Sequence, residues 1–179
     1  MVSALRTSRV SRQRVTHPDA PDRSRAWQVA AGVLDPELPV LTIGELGILR
    51  DVTVDDQGRV HVQVTPTYSG CPAMETIRTD LIAELTRSGY LCVSVEFVLA
   101  PAWTTDWMSD TARAKLTAYG ISPPGRASQS GPVPLSLSVR CPQCGSFETH
   151  ELSRFGSTAC KSLWACDRCR EPFDHFKAL

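Results

Sequence analysis

The sequence predicts an α+β protein in which a small mixed β-sheet with helices is followed by a small four-cysteine zinc-ribbon β domain. Three observations predict it. Alternating apolar and polar residues run through 48–54 and 60–64 around the turn residues Asp55-Asp56-Gln57-Gly58. An apolar stripe at Met74, Ile77, Leu81 and Leu85 has helical spacing and is followed by a Val-rich segment. Two CxxC pairs, Cys141/Cys144 and Cys166/Cys169, stand 21 residues apart.

The composition sets outer limits. The chain has 179 residues, 19 Lys+Arg against 19 Asp+Glu, and is 42% hydrophobic. That is enough apolar material for a core, which excludes a wholly disordered or collagen-like chain, and no apolar run reaches the length of a membrane span. Residues 1–30 carry six Arg against two Asp, residues 31–139 seven basic against twelve acidic, and residues 140–179 six against five. Positive charge therefore belongs to the tail and not to either folded part.

Element by element, residues 1–22 hold Arg6, Arg9, Arg12 and Arg14 among Ser and Thr, without an apolar stripe. They read as a disordered tail, with a nucleic-acid contact or a transit peptide as the functional alternatives. A short helix is expected from Ala26 to Leu34, closed by the Asp35-Pro36-Glu37 turn. Ile48–Val54 and Val60–Val64 form a β-hairpin. The helix after Pro72 stops at Gly89. Leu91–Leu99 is a third strand, joined by a crossover to the same sheet. A last helix starts near Ser109-Asp110 and ends at Gly120. Residues 122–138, with four Pro, two Gly and five Ser, read as a linker, giving an α+β domain at 23–121 and the ribbon at 139–179. With the linker isolating them, loss of a ribbon cysteine is expected to unfold the ribbon alone.

Seven cysteines, an odd number with no signal-peptide pattern, argue against a disulfide scaffold and for metal or thiol chemistry in a reducing, cytoplasmic setting. Each CxxC bends the backbone into a knuckle that presents two thiolates, and four sulfurs complete a closed tetrahedral shell. Cys141, Cys144, Cys166 and Cys169 are therefore expected to hold one structural zinc, with iron as the chemical rival. A region of about 40 residues has too little core to fold alone, so the metal should contribute to its folding.

The other cysteines divide. Cys71 follows the Thr65-Pro-Thr-Tyr-Ser-Gly70 turn and precedes Pro72. Read as the N-cap, it faces unpaired N–H groups that would lower its pKa, which makes it a nucleophile or soft-metal ligand; the alternative is a cap that merely packs. Cys92 is expected in the core. Cys160 reads as a spare thiol in a hairpin loop, with an exchange ligand beside Lys161 as the alternative. His150 and His175 read as surface residues, His61 as a surface strand residue, and Trp103 and Trp107 as core, or else as the roof of the Cys71 site or a partner surface.

These segments carry a resemblance. Asp35-Pro36-Glu37, Leu46-Gly47, the turn at 65–72 and Pro101-Ala-Trp103-Thr-Thr-Asp-Trp107-Met108 resemble the iron-sulfur assembly domain of SufT and the cytosolic iron-sulfur targeting proteins over about residues 26–120. That domain followed by a Pro-rich linker and a four-Cys ribbon ending in Glu171-Pro-Phe173-Asp-His-Phe176-Lys resembles the D-subunit family of the bacterial phenylacetyl-CoA epoxidase system. The resemblance implies that Cys71 handles iron or a cluster transiently, with Asp35 and Glu37 as the acidic signature beside it. It implies a maturation role in phenylacetate catabolism, with epoxidase subunits as partners and the iron-sulfur flavin reductase as client.

The rival readings are a zinc-ribbon scaffold or nucleic-acid module and a thiol enzyme. The ribbon nets only +1, too little for a phosphate-binding surface. No GxxxxGK loop or paired catalytic carboxylates are present, which favours a non-catalytic maturation factor over an enzyme.

Overall fold

The computed structural model describes residues 23–68, 70–125 and 139–178; the Arg-rich tail and residues 126–138 of the expected linker lie outside them. The first sheet has the order β1-β2-β3. Strands β1 (Leu49–Val54) and β2 (Arg59–Val64) form the antiparallel hairpin, and β3 (Cys92–Phe97) lies parallel to β2. The hairpin turns where expected because the Asp55 carboxylate accepts the N–H groups of Gln57 and Arg59.

Helix α1 (Arg23–Ala31) starts three residues before its expected position and buries Ala26 and Ala30. Helix α3 (Ala73–Arg87) is the β2-to-β3 crossover and buries Met74, Ile77, Leu81 and Leu85. Burying a Leu or Ile side chain stabilises by about 1.5–3 kcal/mol, so this stripe is a principal tie between helix and sheet. Helix α4 (Asp110–Ala118) is capped by Ser109, whose hydroxyl accepts the Ala112 N–H.

Between α1 and β1 lies a single-turn helix, α2 (Ile43–Leu46), closed by a capping box in which Thr42 and Glu45 exchange side-chain and backbone bonds. The T-x-x-E spacing is the sequence signal for it. Gly47 ends α2 at φ +78°, and a Cβ there would stand 2.5 Å from the Trp107 carbonyl oxygen. Glycine is required on both counts.

The second sheet has the order β4-β7-β6-β5, from β4 (Ile121–Ser122), β5 (Thr149–Ser153), β6 (Lys161–Cys166) and β7 (Pro172–Phe176). This corrects the expected linker start at 122. Ile121 and Ser122 pair in parallel with Asp174 and His175, so the first domain contributes the edge strand of the ribbon sheet. Two residues are too few to show a periodicity, and only the pairing reveals them as strand.

The expected isolation of the two parts fails for a second reason. Ile121, Cys160 and Phe176 belong to the same buried cluster as Leu81, Val62 and Trp103. The ribbon keeps a smaller core of its own in Val139, Cys141, Trp164, Cys166 and Phe173.

Two further expectations are corrected. Cys92 is exposed, because strand period two puts it on the face of Ser94 and Glu96 while Val93, Val95 and Phe97 turn inward. His175 is half-buried, not a surface residue: its Nδ1 lies 3.1 Å from the Ser122 carbonyl oxygen, and burial pushes its pKa down. Among the described residues no helix is long and apolar enough to cross a membrane.

Candidate functional site

The four ribbon cysteines converge from the two knuckles. Their sulfurs all lie within 4.8 Å of one another, with Cys141 Sγ 3.7 Å from Cys169 Sγ and Cys144 Sγ 3.5 Å from Cys166 Sγ. Metal–sulfur bonds of about 2.3 Å put tetrahedral sulfurs about 3.8 Å apart, so this donor set fits one ion with little movement. Backbone geometry prepares the site. The N–H of Cys169, then that of Arg168, holds the Cys166 thiol down at about 7. At Cys169 the Glu171 N–H is outweighed by burial and the neighbouring thiols, which push it up to about 12. Four thiolates at this spacing would repel one another, and a cation bound among them would neutralise that repulsion.

The second cluster forms where the first domain meets the ribbon. Asp35 is buried, and its Oδ1 accepts the N–H groups of Glu37 at 2.9 Å and Leu38 at 2.8 Å. The carboxylate thus builds the turn that displays Glu37. Burial pushes the Asp35 pKa up, against the Leu38 and Glu37 N–H groups and Lys161. Burial also raises Glu37, with Asp35 adding to it.

Cys71 is half-buried beside these carboxylates. The expectation of a lowered thiol at an N-cap is corrected here: Pro72 takes the N-cap position, and burial raises the Cys71 pKa. The Ala73 N–H favours the thiolate as anticipated, but desolvation outweighs it, and Glu37 and Asp35 repel the anion. The Tyr68 hydroxyl donates to the Cys71 sulfur. Burial, with Cys71 and Glu37 nearby, pushes Tyr68 up to about 12.

From the ribbon comes Cys160, expected as a spare thiol in a hairpin loop and found buried in the core shared with the first domain. Its Sγ lies 3.0 Å from Thr158 Oγ1 and 3.9 Å from Glu37 Oε2, across 123 residues of sequence. Beside it Lys161 is buried, reaches Asp174 Oδ2 at 3.6 Å, and opposes the charge of Asp35 and Glu37. Asp35, Glu37 and Cys71 are neighbours in the fold. Sequence reasoning missed Tyr68, although it stands three residues before Cys71 in the same turn, and gave Cys160 no place in the site.

Trp103 does not roof this cleft by an exposed face. It is buried, its Nε1 donates to the Leu46 carbonyl at 3.2 Å, and its ring meets Phe176 edge to face. Trp107 is partly buried under the Arg50 guanidinium, 3.6 Å from its ring centroid.

Known proteins match along the same division. Residues 25–97 match the family described as iron-sulfur cluster assembly protein, and residues 126–177 the family described as PaaD zinc beta ribbon domain. A protein of Escherichia coli (strain K12), named as the D-subunit of a 1,2-phenylacetyl-CoA epoxidase, is 48% identical over 167 residues, covering 93% of this chain and 99% of that protein. The chain belongs to the PaaD family. Its first half has its own relatives. The Fe-S protein maturation auxiliary factor SufT of Staphylococcus aureus (strain USA300) is 36% identical over 94 residues, 50% of this chain and 99% of SufT. A solved DUF59 domain from Bacillus anthracis superposes with a TM-score of 0.50 at 29% identity, covering 52% of this chain and 90% of that one. This chain thus joins the assembly fold to a ribbon that shares its buried core.

Proposed function

We propose that this PaaD-family protein is an accessory of a phenylacetyl-CoA epoxidase system that assists iron or iron-sulfur maturation of the epoxidase or its reductase. The observation that carries the reading is the half-buried Cys71 thiol facing Glu37 in an iron-sulfur assembly domain, within a chain that aligns along nearly all its length with an epoxidase D-subunit. Similarity of the first half to nearly the whole of SufT supports the same class of role.

Cys71 is the transfer ligand and Glu37 the carboxylate beside it, while Asp35 shapes the turn that presents Glu37. Iron is cargo. A soft thiolate with an adjacent oxygen donor suits ferrous iron that must be held and then released. The partial cover over Cys71 keeps bulk water from competing for the cargo, and Tyr68 orients the sulfur by hydrogen bonding. The ribbon cysteines hold a structural zinc, which supplies folding stability and no chemistry.

The test is a cell dependent on phenylacetate, with iron and labile sulfide measured in the reductase purified from it. Cys71→Ala is expected to leave the fold and ribbon metal intact and to lower the cluster content of the reductase. Full cluster content and normal growth would overturn the reading. A second reading is a scaffold that holds the other subunits together, favoured by Phe147, Leu152 and Phe155 standing exposed on the ribbon.

A further inference from the structure

The ribbon brings a second thiol into the Cys71 cleft. Cys160 lies one residue before β6, buried, with its sulfur 3.9 Å from the Glu37 carboxylate, whose charge also acts on Cys71. Tyr68 has both thiols among its neighbours. The loop that carries Cys160 is held firmly: the Gly156 N–H donates to the Lys161 carbonyl, Ser157 Oγ to Asp174 Oδ2, and the Lys177 N–H to the Cys160 carbonyl. A hairpin loop that only closed a ribbon would not need a buried thiol set against a carboxylate of the other domain.

We propose that Cys71, Cys160 and Glu37 form one three-ligand site for a divalent cation of iron-like character, with two ligands from the first domain and one from the ribbon. The inference rests on the iron-handling reading of Cys71 and specifies the ligand set. Two thiolates and one carboxylate select a borderline-soft ion, and a three-ligand site leaves a position open for a client donor. Binding releases the two thiol protons to solvent. The charge balance suits it, since among the described residues Lys161 is the cation that opposes Asp35, Glu37 and Cys160, and Cys71 stands near the same two carboxylates. Their donor atoms are not drawn as close as those of the ribbon thiols. Closure on a cation therefore needs rotation about the Glu37 and cysteine side-chain torsions, as suits a site that must also let go. Docking of the ribbon is what completes the site, which gives a physical reason for the two domains to share one core.

The test is anaerobic titration of the full zinc-loaded chain with cobalt(II), followed by the thiolate-to-cobalt charge-transfer band and by cobalt-edge X-ray absorption. Wild type is expected to bind one further equivalent, with two sulfurs in its shell. Cys160→Ser is expected to halve the band and weaken binding at least tenfold, while exposed Cys92→Ser changes neither. Cys160→Ala, with thermal melting, checks that the loss is not one of folding. One sulfur in the wild-type shell, or unchanged binding by Cys160→Ser, overturns the proposal while leaving the role of Cys71 standing. Unchanged binding by Cys71→Ser overturns both readings.

Discussion

Trp103 and Phe176 meet edge to face, ring centroids 6.1 Å apart, and through this contact the last strand of the ribbon packs on the first domain. Trp103 in turn is anchored by its indole N–H to the Leu46 carbonyl, so the contact reaches the α2 turn and the sheet beneath it. The ribbon is therefore packed on the first domain through its last strand.

Phe176→Ala should destabilise the whole chain. Phe176 is fully buried, and truncating such a side chain costs about 3–5 kcal/mol. Denaturant unfolding followed separately by Trp fluorescence and by far-UV circular dichroism should show both signals moving to a lower midpoint together. A first domain that kept its wild-type midpoint would mean that the shared core carries no coupling.

Cys144→Ser should abolish stoichiometric ribbon metal, as should a strong chelator. Because Cys160, Phe176 and Ile121 sit in the core of the first domain, metal loss should also lower the melting temperature of the entire chain. Elemental analysis and calorimetry check the two halves of this expectation. One metal per chain retained by Cys144→Ser would contradict it.

Asp35 separates a building role from a charged one. Asp35→Ala leaves the N–H of Glu37 and the buried N–H of Leu38 without their acceptor and should cost about 1–3 kcal/mol. Asp35→Asn keeps an oxygen in place and should retain or slightly raise stability at neutral pH. The sign follows from linkage: an acid whose folded pKa is raised above its unfolded value loses stability as pH rises through that interval, and asparagine does not titrate. Urea midpoints of the two variants near pH 7 decide it.

His175 should make the fold acid-sensitive. Burial lowers its folded pKa, so the unfolded chain takes up the proton first as pH falls. The contribution is complete above the unfolded value of about 6.5 and is lost progressively below it. His175→Gln should remove this component, so the urea midpoint of the variant should fall less than that of wild type between pH 8 and pH 5. Equal falls would assign the acid sensitivity to other groups.

Elements marked by a local pattern, and the two ribbon knuckles, were legible in the residues alone. Met74, Ile77, Leu81 and Leu85 announced α3, Asp55 to Gly58 announced the hairpin, and the two CxxC pairs announced the four-sulfur site, because each pattern lies within one element or one knuckle and reports its local geometry. The same period-two rule that located β3 would have moved Cys92 to the solvent face had it been applied to that residue. The rest was set by packing between distant segments. Whether the Cys71 thiol is lowered by helix N–H groups or raised by burial depends on what packs around it, which local sequence does not record. Whether Cys160 is a spare loop thiol or a neighbour of Glu37 depends on packing across 123 residues, and its single-cysteine motif carries no spacing from which to read that distance. Strand β4 is likewise visible only in its pairing with β7. Periodicity records which side of an element avoids water, while the partner that takes its place is chosen by the fold of the whole chain.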